Sequence, residues 1–166
     1  MKYELLSNDT KECAGRILHR IKNLNTGELG GYIEAEHNLS QMGRCWVHDG
    51  AMVYDDARVS GDAQIVEGLV FDNARVQGKA KITGSNSKIY GYAEVHDDAE
   101  IKDSEIYGAA EIYGRANIRR SEVRDSARIQ DALISNCDID AQIRIDGAVH
   151  LEGVRIPMCL ANICRR

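Results

Sequence analysis

From Cys45 onward the chain repeats a rung of about six residues, small–x–aliphatic–x–turn, and so short a period leaves few folds open. CWVHDG, AMVYDD, ARVSGD and AQIVEG begin the series, and ARVQGK, AKITGS, AEVHDD, AEIYGR and ARIQD continue it. The aliphatic anchors run Val47, Val53, Val59, Ile65, Phe71, Val76, Ile82, Ile89, Val95, Ile101, Ile106, Ile112, Ile118, Val123, Ile129, Ile134 and Ile139. Ile145, Leu151 and Ile156 carry the series on in a looser register. Two residues before the anchor stands Ala, Ser or Cys in sixteen of these first seventeen rungs, Leu69 being the exception. Two residues after it stands Gly, Asp or Asn in fourteen, with Glu67, Arg120 and Ala141 the exceptions.

Residues two apart on a strand share a face, so the small residue and the anchor both point inward. Gly, Asn and Asp then supply the backbone conformations of a sharp corner, positive φ included. A helix would need apolar positions at a period of 3.6, which spacings of five and six do not give. The expected fold is therefore all-β: a single-stranded, three-sided, left-handed β-helix with a small N-terminal cap. Every third anchor should fall in one stacked column, so that Val47, Ile65, Ile82, Ile101, Ile118 and Ile134 form the first. Val53, Phe71, Ile89, Ile106, Val123 and Ile139 form the second; Val59, Val76, Val95, Ile112, Ile129 and Ile145 form the third.

The expected organisation is a cap over 1–44, repeats over 45–156, and a cap or interface tail over 157–166. Within the cap, the pattern suggests a strand around Tyr3–Leu6, a turn at Asn8–Glu12, an apolar stretch from Ile17 to Leu24, and a tight reversal at Gly30 and Gly31.

Stacking also aligns the outward residues. Arg75, Lys81 and Lys88 of one coil should meet Glu94, Glu100 and Glu105 of the next, which helps set register. Ser87, Ser104 and Ser121 recur seventeen residues apart at small positions, and read as packing residues that can satisfy one another. Tyr54, Tyr90, Tyr107 and Tyr113 follow anchors and are the candidate binding residues, because exposed aromatics in a row are typical of interfaces. On this reading Tyr54 is separated from Tyr90 and Tyr107 by Asp72.

The remaining features mostly exclude. No apolar run approaches a membrane span, and the N-terminus lacks a signal-peptide core, so a cytoplasmic protein without membrane contact is expected. Cys13, Cys45, Cys137, Cys159 and Cys164 are odd in number and form no CxxC, which indicates neither a disulfide framework nor a metal site. From Cys45 to Ile156 there are 13 Lys and Arg against 20 Asp and Glu, so direct nucleic-acid binding is disfavoured for want of a basic patch. Nucleic-acid mimicry fares little better, since the anions are interleaved with cations at about a third of the charge density of duplex DNA.

The segment LGGYIEAEHNLSQMGRCWVHDGAMVYDDARVSGDA resembles a family of phage and prophage proteins together with bacterial YdcK-like proteins. The resemblance covers about residues 1–115, its specific part being Gly30–Ser40, and the tail beyond Arg120 departs from it. It implies a fold like that of hexapeptide-repeat transferases. Two functions follow as expectations. One is a non-enzymatic scaffold or binding protein, a homo-oligomer that acts on a host component such as one of defence, with a protein partner or a small nucleotide as target and no cofactor. The other is an acyltransferase using coenzyme A. For the latter His96, beside Asp97 and Asp98, is the one candidate general base, and it lacks an evident positioned partner.

Overall fold

The computed structural model describes residues 1–140 and 142–157. It is a parallel β-solenoid, and among the described residues the one helix is the 3-10 turn Glu36–Asn38. Strands stack on those of neighbouring coils in three columns. The third column forms a 6-stranded sheet; the first two belong to a 15-stranded sheet and are joined through the long strand Gln64–Val70. Register follows the anchors: Ile65 pairs with Ile82, Ile106 with Val123, and Ile112 with Ile129. The looser end keeps the same order, with Ile145 on Ile129, Leu151 on Ile134 and Ile156 on Ile139. Nearly all of these anchors and their small partners are buried, in one continuous cluster. Burial of that kind stabilises by about 1.5–3 kcal/mol per large side chain.

Corners obey the expected chemistry. The residue two after an anchor has positive φ in coil after coil: Asp55, Gly61, Gly78, Gly91, Asp97, Gly108, Gly114, Asp125 and Asp131 among them. Arg120 has φ 45° as well, although nothing in its side chain favours the left-handed region.

One anchor is corrected. Val70, not Phe71, pairs with Val53 below and Ile89 above, and Val70 is fully buried while Phe71 faces outward. The small position of that rung is then Gly68 rather than Leu69. A Cβ on Gly68 would stand 2.5 Å from the Ser87 carbonyl oxygen, so even alanine is excluded. The rung is five residues long, and the shift of one restores the phase.

The N-terminal segment also differs from expectation. Strand β1 (Tyr3–Cys13) runs through Asn8–Glu12 with a register irregularity between Leu6 and Thr10, and the chain turns at Ala14–Gly15 into β2 (Arg16–Asn23). β2 pairs antiparallel with β3 (Leu29–Ile33), which in turn pairs parallel with β4 (Trp46–Val53). Gly30 and Gly31 lie inside β3 and make no reversal. A Cβ on Gly31 would meet the carbonyl oxygens of His48 and Ala51 at 2.3 and 2.4 Å, so glycine here permits close backbone approach.

Ile33 sits beneath Val53, and Leu39 bridges to Val59, so the stacked columns already begin below Cys45. Asn38, fully buried, holds this start together. Its amide nitrogen donates to the carbonyls of Asp55 (2.8 Å) and Ala57 (2.9 Å), and its oxygen accepts from the Ala35 N–H (2.8 Å). Glu34 accepts the Asp55 N–H at 2.8 Å. The Gly30–Ser40 lead is thus occupied with starting the solenoid. The expected C-terminal cap lies, apart from Pro157, outside the described residues.

Candidate binding face

The position after each anchor of the second column points outward, and strand stacking places these side chains one coil apart. In sequence order they are Tyr54, Phe71, Tyr90, Tyr107, Arg124 and Asp140. The four rings form one ladder, but Tyr54 is buried, against the expectation of an exposed ring, and Phe71, Tyr90 and Tyr107 are half-buried. Centroids are 5.2 Å apart for Tyr54–Phe71 and 4.8 Å for Phe71–Tyr90 and Tyr90–Tyr107, with interplanar angles of 3–5°. Phe71 fills the place that Asp72 seemed to occupy, and joins Tyr54 to the other two tyrosines. The signal for this lies in the five-residue rung: with Gly68 at its small position, Phe71 falls in phase with the tyrosines.

The ladder ends in charge. Tyr90 donates its hydroxyl proton to Glu105 at 2.9 Å, and Tyr107 donates to Glu122 at 2.6 Å, each carboxylate coming from the next coil. Burial first, then the carboxylate partner, pushes both phenols above their ordinary range. Tyr54 is pushed up to about 12, chiefly by burial. The Tyr107 hydroxyl in turn holds the Glu122 carboxyl below its usual value. Arg124 caps the stack, pairing with Asp140 (2.7 Å), Asp138 (3.4 Å) and Glu122. Glu105 and Glu122 also line a cleft of about 730 Å³ over the tight corners, with Lys88, Asp138 and Arg155. The face is therefore an aromatic strip whose margin holds four carboxylates, Glu105, Glu122, Asp138 and Asp140, ion-paired with Lys88, Arg124 and Arg155.

Tyr113 lies elsewhere. On the third column it stacks on His96 at 5.3 Å and 14°, so the candidate tyrosines form two groups rather than one surface. The His96 ring nitrogens are flanked by Asp97 (Nδ1, 3.3 Å) and Glu111 (Nε2, 3.4 Å). The partner that the sequence did not show for His96 is thus present twice, as Asp97 and Glu111, while one ring face lies against Tyr113. The imidazole is placed as a strut between coils. Asp97 is held below the usual carboxylate range by the Gly114 N–H and then by His96.

Two other clefts occur. One, of about 750 Å³, opens at the N-terminal end between Lys2, Gln41 and His48, and its wall includes Trp46, whose indole N–H has no acceptor among the described residues. The other, of about 130 Å³, lies on the first column. His96 lines none of the three. Among the described residues no group of three His, Cys, Asp or Glu side chains is placed to hold a metal ion, and no helix is long and apolar enough to cross a membrane. Neither a family model nor a curated protein matches the chain.

Proposed function

We propose that this β-solenoid is a non-catalytic binding protein that engages a protein partner through the Phe71–Tyr90–Tyr107 strip. The reading rests on the half-buried rings Phe71, Tyr90 and Tyr107, stacked on the buried Tyr54 and bordered by Glu105, Glu122, Asp138 and Asp140. The border carries four carboxylates against the three cations Lys88, Arg124 and Arg155, and that excess beside aromatic rings suits a partner that presents Lys or Arg beside apolar groups. Following the resemblance in Gly30–Ser40, the setting is a phage or prophage accessory protein acting on a host component in the cytoplasm, as a homo-oligomer.

The test is affinity capture from host cells with the wild-type protein and with a Glu105→Lys/Glu122→Lys variant whose circular dichroism matches it. A partner carrying a basic surface, retained by the wild type and lost by the variant, supports the proposal. Equal capture by both, or release of a small nucleotide in place of a protein, overturns it.

A further inference from the structure

The outer face of the first column carries a charge arrangement that the chain does not neutralise. Lys102 lies in register between Thr83 and Arg119, and Glu100 lies between Lys81 and Asn117. These six residues line the 130 Å³ cleft. Like charges directly opposite each other on neighbouring strands destabilise the pairing. Elsewhere on the described strands, each in-register pair of like charges has a member in an ion pair. Glu94 and Glu111 are met by Arg75 (3.8 Å) and Arg128 (3.0 Å), and Glu105 by Lys88 (3.8 Å). Glu122 is met by Arg124, and Arg144, opposite Arg128, by Asp146.

The Lys102–Arg119 pair has no such carboxylate among the described residues. Arg119 donates its Nε–H to the Asn117 side-chain oxygen Oδ1 at 2.8 Å, and Asn117 donates its Nδ2–H to Glu100 at 3.2 Å. That chain orients the guanidinium and occupies Glu100, while the terminal guanidinium N–H groups and the Lys102 ammonium have no carboxylate partner among the described residues.

We propose that Lys81, Lys102 and Arg119 form a binding site for a phosphate-type oxyanion, carried by a small soluble ligand. The planar guanidinium matches two oxygens of a tetrahedral anion, and the lysines add point charges at the rim. Glu100 acts here as the positioning residue that aligns Asn117 and Arg119. The site is on a different column from the aromatic strip, and does not rest on the function proposed for that strip.

The test is titration of isotopically labelled protein with inorganic phosphate, against sodium chloride at matched ionic strength. Amide shifts confined to the segments around Lys81, Lys102 and Arg119, saturating in the millimolar range, are expected. Lys102→Met/Arg119→Met should weaken that response at least tenfold without lowering the melting temperature, since a repulsion is removed. Shifts that chloride reproduces, or that survive in the double variant, overturn the proposal. Anionic phospholipid vesicles form the second arm, and no co-sedimentation is expected. Co-sedimentation abolished by the double variant, with no response to free phosphate, overturns the soluble-ligand assignment in favour of a lipid headgroup.

Discussion

A ring that follows a buried anchor can lie on the ring of the next coil only if both rungs share one phase. Phe71 has that phase because Gly68 lets its five-residue corner close against the Ser87 carbonyl. Its ring then touches aromatic neighbours on both sides. Phe71→Ala should therefore cost about 2–3 kcal/mol, combining lost burial with two lost ring pairs, as read by urea denaturation. Phe71→Tyr should stay within about 1 kcal/mol of the native protein, as an aromatic exchange that keeps the stack. The phenols make a second prediction. Folding raises the hydroxyls of Tyr54, Tyr90 and Tyr107 above the usual 10, so the folded state holds the protonated form more tightly. Their contribution to stability is complete below pH 10 and disappears as pH climbs through the raised values. An absorbance titration at alkaline pH should show these tyrosines ionising late, together with loss of structure; simple ionisation near pH 10 by all seven tyrosines would contradict it. At this scale the sequence shows small residue, anchor and turn residue directly, since each is dictated by its own steric need. It conceals Phe71 because an aromatic residue satisfies the pattern of an anchor as well as that of an outward strand position.

The tight corner between the first and second columns illustrates how an element is satisfied by its neighbours. A five-residue rung is too short for the turn hydrogen bond that longer corners make, as from the Ala57 N–H to the Tyr54 carbonyl. The serine column supplies the acceptor instead. Ser121 N–H donates to the Ser104 hydroxyl at 3.2 Å, and Cys137 N–H donates to the Ser121 hydroxyl at 3.0 Å. Each of those hydroxyls donates in turn to a carbonyl of its own coil, Ser104 to Lys102 and Ser121 to Arg119. Ser104→Ala leaves the Ser121 N–H buried without a partner and should destabilise by about 1–3 kcal/mol in thermal or urea melts. An unchanged melt would mean that the hydroxyl is dispensable. Gly31→Ala should be worse, because the added methyl meets two backbone oxygens that cannot move separately. A loss of about 3 kcal/mol, or failure to fold, is expected by circular dichroism. The serine spacing was legible as a ladder in the sequence, and so was the cross-coil pairing of Lys88 with Glu105 and Arg75 with Glu94; Lys81 and Glu100 are in register as expected but form no ion pair, Glu100 accepting from Asn117 instead. The role of Gly30 and Gly31 was not, because a glycine pair signals a turn and a close approach equally well, and only the neighbouring backbone distinguishes them.

Across the whole molecule, a parallel solenoid has to deal with strand edges at its ends, since an open edge templates further pairing. The N-terminal end is closed by a change of direction: β2 lies antiparallel on β3, and β1 lies antiparallel on β2. The remaining edge of β1 is broken by the irregularity between Leu6 and Thr10 and carries Asp9, Lys11 and Glu12, features that discourage another strand from docking. The hairpin is also tied to the first coils by packing. Tyr3 and Ile21 are fully buried in the core cluster, and the Tyr3 hydroxyl donates to the Leu39 carbonyl at 2.6 Å. Each of those side chains contributes about 1.5–3 kcal/mol of burial. Deleting residues 1–28 should therefore do two things together. It should lower stability by several kcal/mol, and it should expose the pairing groups of β3, so that the shortened protein associates further as its concentration rises while the full chain does not. Analytical ultracentrifugation over a concentration series reads the second effect, and urea denaturation reads the first. A shortened chain that sediments like the full one at every concentration would show that β3 is protected by something other than the hairpin. A destabilised chain with unchanged sedimentation would confine the hairpin's role to packing, with no part in blocking the edge.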